Sequence, residues 1–154
     1  MRLVIQRVTE ARVTVDEQTV AETGPGFLVL VGFGREDGKE LPDSKVWSKM
    51  LDKLMNLRVF TDEDGKFNLS LKDVSGELLF VSQFTLYADC RKGRRPSFTN
   101  ACPPELADSL FDRFVEDARV VAPAKVETGV FGAEMFLDFT NWGPVTITID
   151  SKDL

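Results

Sequence analysis

"FLVLVGFG", residues 27–34, carries no polar side chain. A strand with one wet face alternates apolar and polar residues. A continuous apolar run of this length, entered through the turn "ETGPGF" (22–27), reads as a central strand buried on both faces. Such a strand needs cover above and below. "ELLFVSQFTL" (77–86) repeats the pattern and reads as a second buried strand that runs into polar residues. "RLVIQRVTEARVTV" (2–15) alternates through Leu3, Ile5, Val8, Val13 and Val15, with a break near Thr9–Glu10, and reads as two short strands.

The period changes in "LPDSKVWSKMLDKLMNLRVF" (41–60). Val46, Trp47, Met50, Leu51, Leu54 and Leu57 recur at three and four residues, the mark of an amphipathic helix, with Asp43 or Ser44 as its cap. In "FTDEDGKF" (60–67), Asp64–Gly65 signals a hairpin. Pro103 and Pro104 open a second helix carrying Leu106, Leu110, Phe111, Phe114 and Val115. "KVETGVFGAEMFLDFTN" (125–141) and "PVTITID" (144–150) close the chain as strands, Met135, Leu137 and Phe139 sharing one face and Val145, Ile147 and Ile149 another. The expected fold is a single α/β domain over residues 1–154. Its sheet is layered and mostly antiparallel or mixed, with two main helices on one side. Two helices cannot cover both faces of a large sheet, so some of it packs on other sheet or on a partner.

The 154 residues suit one domain with a proper core. The charge of −6 argues against a broad basic face for duplex nucleic acid. A local patch exists in "CRKGRRPSF" (90–98), with Arg91, Lys92, Arg94 and Arg95; its plainer reading is a solvated loop. No apolar run reaches membrane-helix length, and the N-terminal stretch lacks the features of a signal peptide. Two cysteines, Cys90 and Cys102, without an export signal suggest reduced thiols in the cytoplasm. Too few ligands at metal spacing are present to expect a metal. The chain has no histidine, so Ser-His-Asp and Cys-His chemistry are excluded. An enzyme built from it uses carboxylates, Lys, Tyr, backbone dipoles, water or its substrate.

Three stretches exceed what a plain core requires: "SQFTLYAD" (82–89), "TGVFGAEM" (128–135) and "NWGPVT" (141–146). Singly they read as a strand end, a loop with core anchors and a turn. Together and in this order, with "IQRVTEARVTV", "GPGFLVLVG" and "RRPSF", they closely resemble the D-aminoacyl-tRNA deacylase family over nearly the whole chain. The resemblance implies a homodimer with sites at the subunit interface and no cofactor. It implies hydrolysis of the ester joining a D-amino acid to tRNA, and of mischarged glycyl-tRNA. It assigns Ser82, Gln83, Phe84 and Thr85 to the catalytic stretch, with backbone N–H groups near Phe84 and Thr85 as oxyanion donors, and Phe131 and Met135 to the pocket of the terminal adenine. It implies help from the 2′-OH of that adenosine. It makes Gly143–Pro144 a cis bond that enters the opposite subunit's site and rejects L-amino acids. Trp142 departs from the family, which more often has a small or acidic residue there; it is expected at the dimer interface or the site's rim. Two other readings stand beside this one: a nucleic-acid-binding module without catalysis, using the basic loop, and an esterase with Thr85 or Ser82 as nucleophile.

Overall fold

The computed structural model describes residues 1–154. Strand β1 (Arg2–Val15) is the axis of the sheet. One of its edges pairs antiparallel first with β3 (Gly26–Gly32) and then with β2 (Gln18–Thr23); its other edge pairs antiparallel with β8 (Phe136–Asp150) along nearly its whole length. Beyond β3 the sheet continues in parallel through β6 (Glu77–Ser82) and β7 (Val126–Thr128). The sheet is therefore mixed. A small hairpin of β4 (Phe60–Thr61) and β5 (Phe67–Leu69) turns at Gly65, as Asp64–Gly65 signals.

Parallel neighbours require crossovers. Helix α1 (Lys45–Asn56) lies between β3 and β6, and α2 (Pro104–Val121) between β6 and β7. Both crossovers step the same way across the sheet, and right-handed connections of that kind put both helices on one face. Ser44 caps α1, its Oγ accepting from the Trp47 N–H at 3.2 Å, and Pro104 opens α2. Trp47, Met50 and Leu54 of α1 and Leu110, Phe114 and Val115 of α2 bury against Leu3, Ile5, Phe27, Val29, Leu78 and Phe80. The opposite face holds a smaller cluster of Val8, Ala11, Val13, Leu28, Leu79 and Val81, which Leu30, Met135 and Leu137 cover only in part. The run at 27–34 is thus buried on the helix side and nearly so on the other, where Leu30 stays partly open.

The break near Thr9–Glu10 ends no strand. It is an irregularity between Val8 and Ala11, where β1 runs on as one strand. Before it, Leu3 and Ile5 face the helices; after it, Ala11 and Val13 face the other way. An extra residue in one strand of a pair shifts alternation in this manner without breaking the element. The two closing strands are likewise β7 and one long β8 that runs through "NWGPVT". Opposite Arg7, residues 142–145 stand between the pairs Val8–Asn141 and Gln6–Thr146 as an outward bulge. Proline is tolerated there because β8 is an edge strand. Across the bulge, β8 changes sides: Leu137 packs on the open face, Val145, Ile147 and Ile149 on the helix face. Phe139 is more exposed than expected, at 37%. The short strand β2 was hidden from the sequence pattern by its turn, where Asp16 and Glu17 take the left-handed conformation without a glycine.

Candidate active site

The predicted strand 77–86 stops at Ser82, and Phe84–Tyr87 wind into a single 3-10 turn. The turn hangs from the carboxyl end of β3, where the Gln83 N–H donates to the Val31 carbonyl at 2.7 Å. Gly32 permits this approach, since a Cβ there would lie 2.8 Å from the Gln83 carbonyl oxygen. The far end of the turn is held by Arg2. Its Nη1 donates to the Leu86 carbonyl at 2.8 Å, and its guanidinium sits 4.5 Å from the centre of the buried Tyr87 ring. The turn's first internal hydrogen bond runs from the Leu86 N–H to the Gln83 carbonyl. The N–H groups of Phe84 and Thr85 precede it, as the leading donors of a helical turn do.

Beside the turn lies a cavity of about 370 Å³, at the small end of the range for ligand sites. Ser82, Gln83 and Phe84 form one wall and Phe131, Met135 and Leu137 another, over a floor that includes Val31, Val81 and Ala107. The structure thus brings together five residues assigned from sequence. Phe131 is braced by Phe111, ring centres 6.2 Å apart. Thr85 is exposed and outside the lining, and the Gln83 Nε2 donates to its hydroxyl at 2.6 Å. An amide cannot take a proton from that hydroxyl, so no general base accompanies it. A larger polar depression of about 890 Å³ opens on the other side of the turn, but most of its charges are already paired: Arg91 with Asp89 and Lys152 with Glu36 within its lining, and Arg2 with Asp150, which lies just outside it.

Gly143 and Pro144 do not line this cavity in their own chain. They stand exposed on the β8 bulge, joined by a cis bond. Beneath them is Arg7, a polar residue in the alternating stretch of β1. It is 3% exposed, and its Nε donates to the Trp142 carbonyl at 2.9 Å and its Nη1 to the Val59 carbonyl. It has no carboxylate partner. Burial lowers its pKa, yet a guanidinium remains charged. The cation lies instead 4.5 Å from the Trp142 ring centre and 5.1 Å from that of Phe67. Trp142 therefore packs on Arg7 and edge-on to Phe60 of the same chain, while staying 42% exposed. Gly143 has φ +129°, and a Cβ on it would lie 2.9 Å from Arg7 Nη2 and 2.8 Å from Val145 Cγ2. A lone Arg at an inward position of a strand was the one available signal for this role.

The basic run forms a loop closed by the pair Asp89–Ser97, whose backbones exchange hydrogen bonds of 2.8 and 2.9 Å. Arg91 grips Asp89 with two nitrogens, at 2.8 and 2.6 Å, and holds that carboxyl down to about 2. Lys92, Arg94 and Arg95 are exposed and have no acidic partner. Cys90 and Cys102 are both unpaired. No cluster of three His, Cys, Asp or Glu is assembled for a metal, and no helix is long and apolar enough to cross a membrane.

This mixed sheet, with both helices on one face, is also the fold of a solved structure described as a probable eukaryotic D-amino acid tRNA deacylase (TM-score 0.80, 22% identity, 96% of this chain and 97% of that one). The chain belongs to the D-Tyr-tRNA(Tyr) deacylase family, whose model matches residues 4–150. Proteins named D-aminoacyl-tRNA deacylase are 53% identical in Nitratidesulfovibrio vulgaris, over all of this chain and 95% of the relative, and 56% identical in Solidesulfovibrio magneticus, over all of this chain and 98% of the relative. A solved structure named c-Myc DNA Unwinding Element Binding Protein is also similar, with TM-score 0.87 and 41% identity over 97% of this chain and 98% of that one.

Proposed function

We propose that this protein is a homodimeric cytoplasmic hydrolase that cleaves the ester of D-aminoacyl-tRNA, and of mischarged glycyl-tRNA, releasing free tRNA and the amino acid. The observation that carries the reading is the apolar-walled cavity at the ends of β3 and β6, where the "SQF" wall faces Phe131 and Met135. An aromatic face and a thioether suit the terminal adenine. The ester then lies along the turn, and the N–H groups of Phe84 and Thr85 receive the oxyanion as water attacks the carbonyl carbon. Gln83 holds the turn through Thr85. The departing 3′-oxygen takes a proton, with the adjacent 2′-OH as the group that RNA alone supplies. An activated ester needs positioned water and a stabilised oxyanion more than a strong base, which fits a chain without histidine.

Gly143 and Pro144 are exposed and outside the lining of the cavity in their own chain, so we assign them to the cavity of the partner subunit. There their carbonyls meet the α-amino group and occupy the space an L side chain requires. Discrimination is by exclusion, so glycine passes. The test is hydrolysis of D-aminoacyl-, L-aminoacyl- and glycyl-tRNA by the pure protein, with its oligomeric state measured at the assay concentration. D and glycyl esters are cleaved and L esters spared. Cleavage of L at the D rate removes the filter, an active monomer removes the shared site, and binding without cleavage favours a nucleic-acid-binding module.

A further inference from the structure

We propose that Phe84 and Phe98, together with the tip of the 90–96 loop, form a second nucleotide subsite that takes the single-stranded nucleotides immediately upstream of the terminal adenosine. The proposal rests on the deacylase reading and extends it from the last nucleoside to the RNA strand behind it. Phe84 has two aspects. It lines the cavity, yet it is 55% exposed, and its ring meets Phe98 edge to face with centres 5.0 Å apart. Phe98 is itself 40% exposed and lies outside the cavity lining. Two half-open aromatic rings at the mouth of a nucleoside-sized cavity are costly to leave in water, and each offers a face on which a base can stack.

The backbone ties this pair to positive charge. Phe98 directly follows Ser97, which closes the basic loop against Asp89. Arg91 is spent on Asp89, and that ion pair holds the loop's base. Lys92, Arg94 and Arg95 are left at the exposed tip without acidic partners, three to six residues before Phe98. Stacking faces beside cations that follow a backbone are the means by which proteins hold single-stranded nucleic acid without reading its sequence. Such a subsite suits an enzyme that must accept many tRNAs, since their 3′ ends share one single-stranded terminus. It also accounts for a strongly basic loop on a chain with net charge −6: the positive charge is local because the contact is local.

The experiment compares one D-amino acid esterified to adenosine, to the trinucleotide CCA and to whole tRNA, with wild type and Phe98→Ala. Wild type prefers the CCA ester over the adenosine ester in kcat/KM. Phe98→Ala reduces that preference about 5- to 150-fold, the range expected for one lost stacking contact. The loss falls on KM, while the adenosine ester is cleaved as before. Equal use of both esters by wild type, or an unchanged preference in Phe98→Ala, overturns the subsite and leaves the deacylase reading standing. So does a Phe98→Ala protein whose dimerisation changes with its preference intact, since the pair is then covered by protein. If wild type cleaves none of the three esters, the deacylase reading fails and the subsite with it.

Discussion

The turn at 83–87 and the bulge at 142–145 are the two unusual backbones of this molecule, and they are built in opposite ways. The turn is concave and apolar-walled. It hangs from β3, is clamped by Arg2, and borders a cavity lined by residues of its own chain. The bulge is convex and exposed, and a buried cation supports it from below. One region is hollow and lined by side chains; the other stands out from its own chain with a buried cation beneath it. The difference teaches that the walls of the cavity and the support of the bulge are built from separate residues, so that each can be altered without the other.

Arg7→Ala tests the support of the bulge and carries the largest expected effect. It leaves the carbonyls of Trp142 and Val59 without donors and opens a void, which together cost roughly 2–5 kcal/mol in denaturant unfolding. D-aminoacyl-tRNA hydrolysis falls by about 100-fold as the bulge loses its position. Arg7→Lys keeps the charge without the planar fork and falls between. Wild-type activity in a folded Arg7→Ala protein would make the bulge self-supporting. Gly143→Ala comes next. Its Cβ meets Arg7 and Val145 at a φ that disfavours L residues, a strain of about 1–3 kcal/mol. The ratio of D to L hydrolysis drops, while adenosine binding at the cavity, measured directly, is unchanged. Weakened adenosine binding would dissolve the separation between the two regions.

Neutralising Lys92 and Arg94 together raises KM for tRNA and flattens the salt dependence of log KM, by about 0.7–0.9 per lost phosphate contact. Arg91→Ala flattens it less, because that cation is already paired. An unchanged slope in the double variant returns the run to a solvated loop. Thr85→Ala keeps most of the activity, with only a small loss from a loosened Gln83. Loss of a true nucleophile costs many orders of magnitude, so a collapse of that size with the fold intact would establish Thr85 in that role. The smallest effect is expected from pH. No imidazole is present, so the rate shows no protein-derived step near pH 6.5 once the substrate amine is accounted for. Asp89 is depressed to about 2, below the ordinary 3.9 or so of a free aspartate. Its contribution to the loop is therefore complete above about pH 4 and is lost only as pH falls toward 2. A protein-derived step between pH 5 and 8 would expose a titrating group that neither region displays.

Much of this was legible before the fold. Local periodicity placed both helices and their inward faces, because burial of a stripe requires residues at three and four. It placed the apolar run of β3, because nothing but double burial excuses so many apolar side chains in succession. The "SQFT" stretch and the Phe131–Met135 pair read singly as a strand end and core anchors, and only the order of the stretches, through the family they resemble, marked them as a site. The break at Thr9–Glu10 was visible too, but a bulge and a strand end look alike until the partner strand is known. The turn at Asp16–Glu17 was invisible, because it adopts left-handed backbone without the glycine that announces it.

By itself the sequence determined the residue types and their local periods: which faces are apolar, where a helix begins, which chemistry is impossible without histidine. Only the tertiary structure decided what lies beneath and beside them. Arg7 became the support of Gly143 because β1 and β8 pair with four residues of β8 set against one of β1, a register that no local pattern encodes. Ser82 and Phe131 came to share a cavity because two crossovers bring β3, β6 and β7 side by side. Periodicity is a property of neighbours along the chain; a site is made of groups that are neighbours only in space.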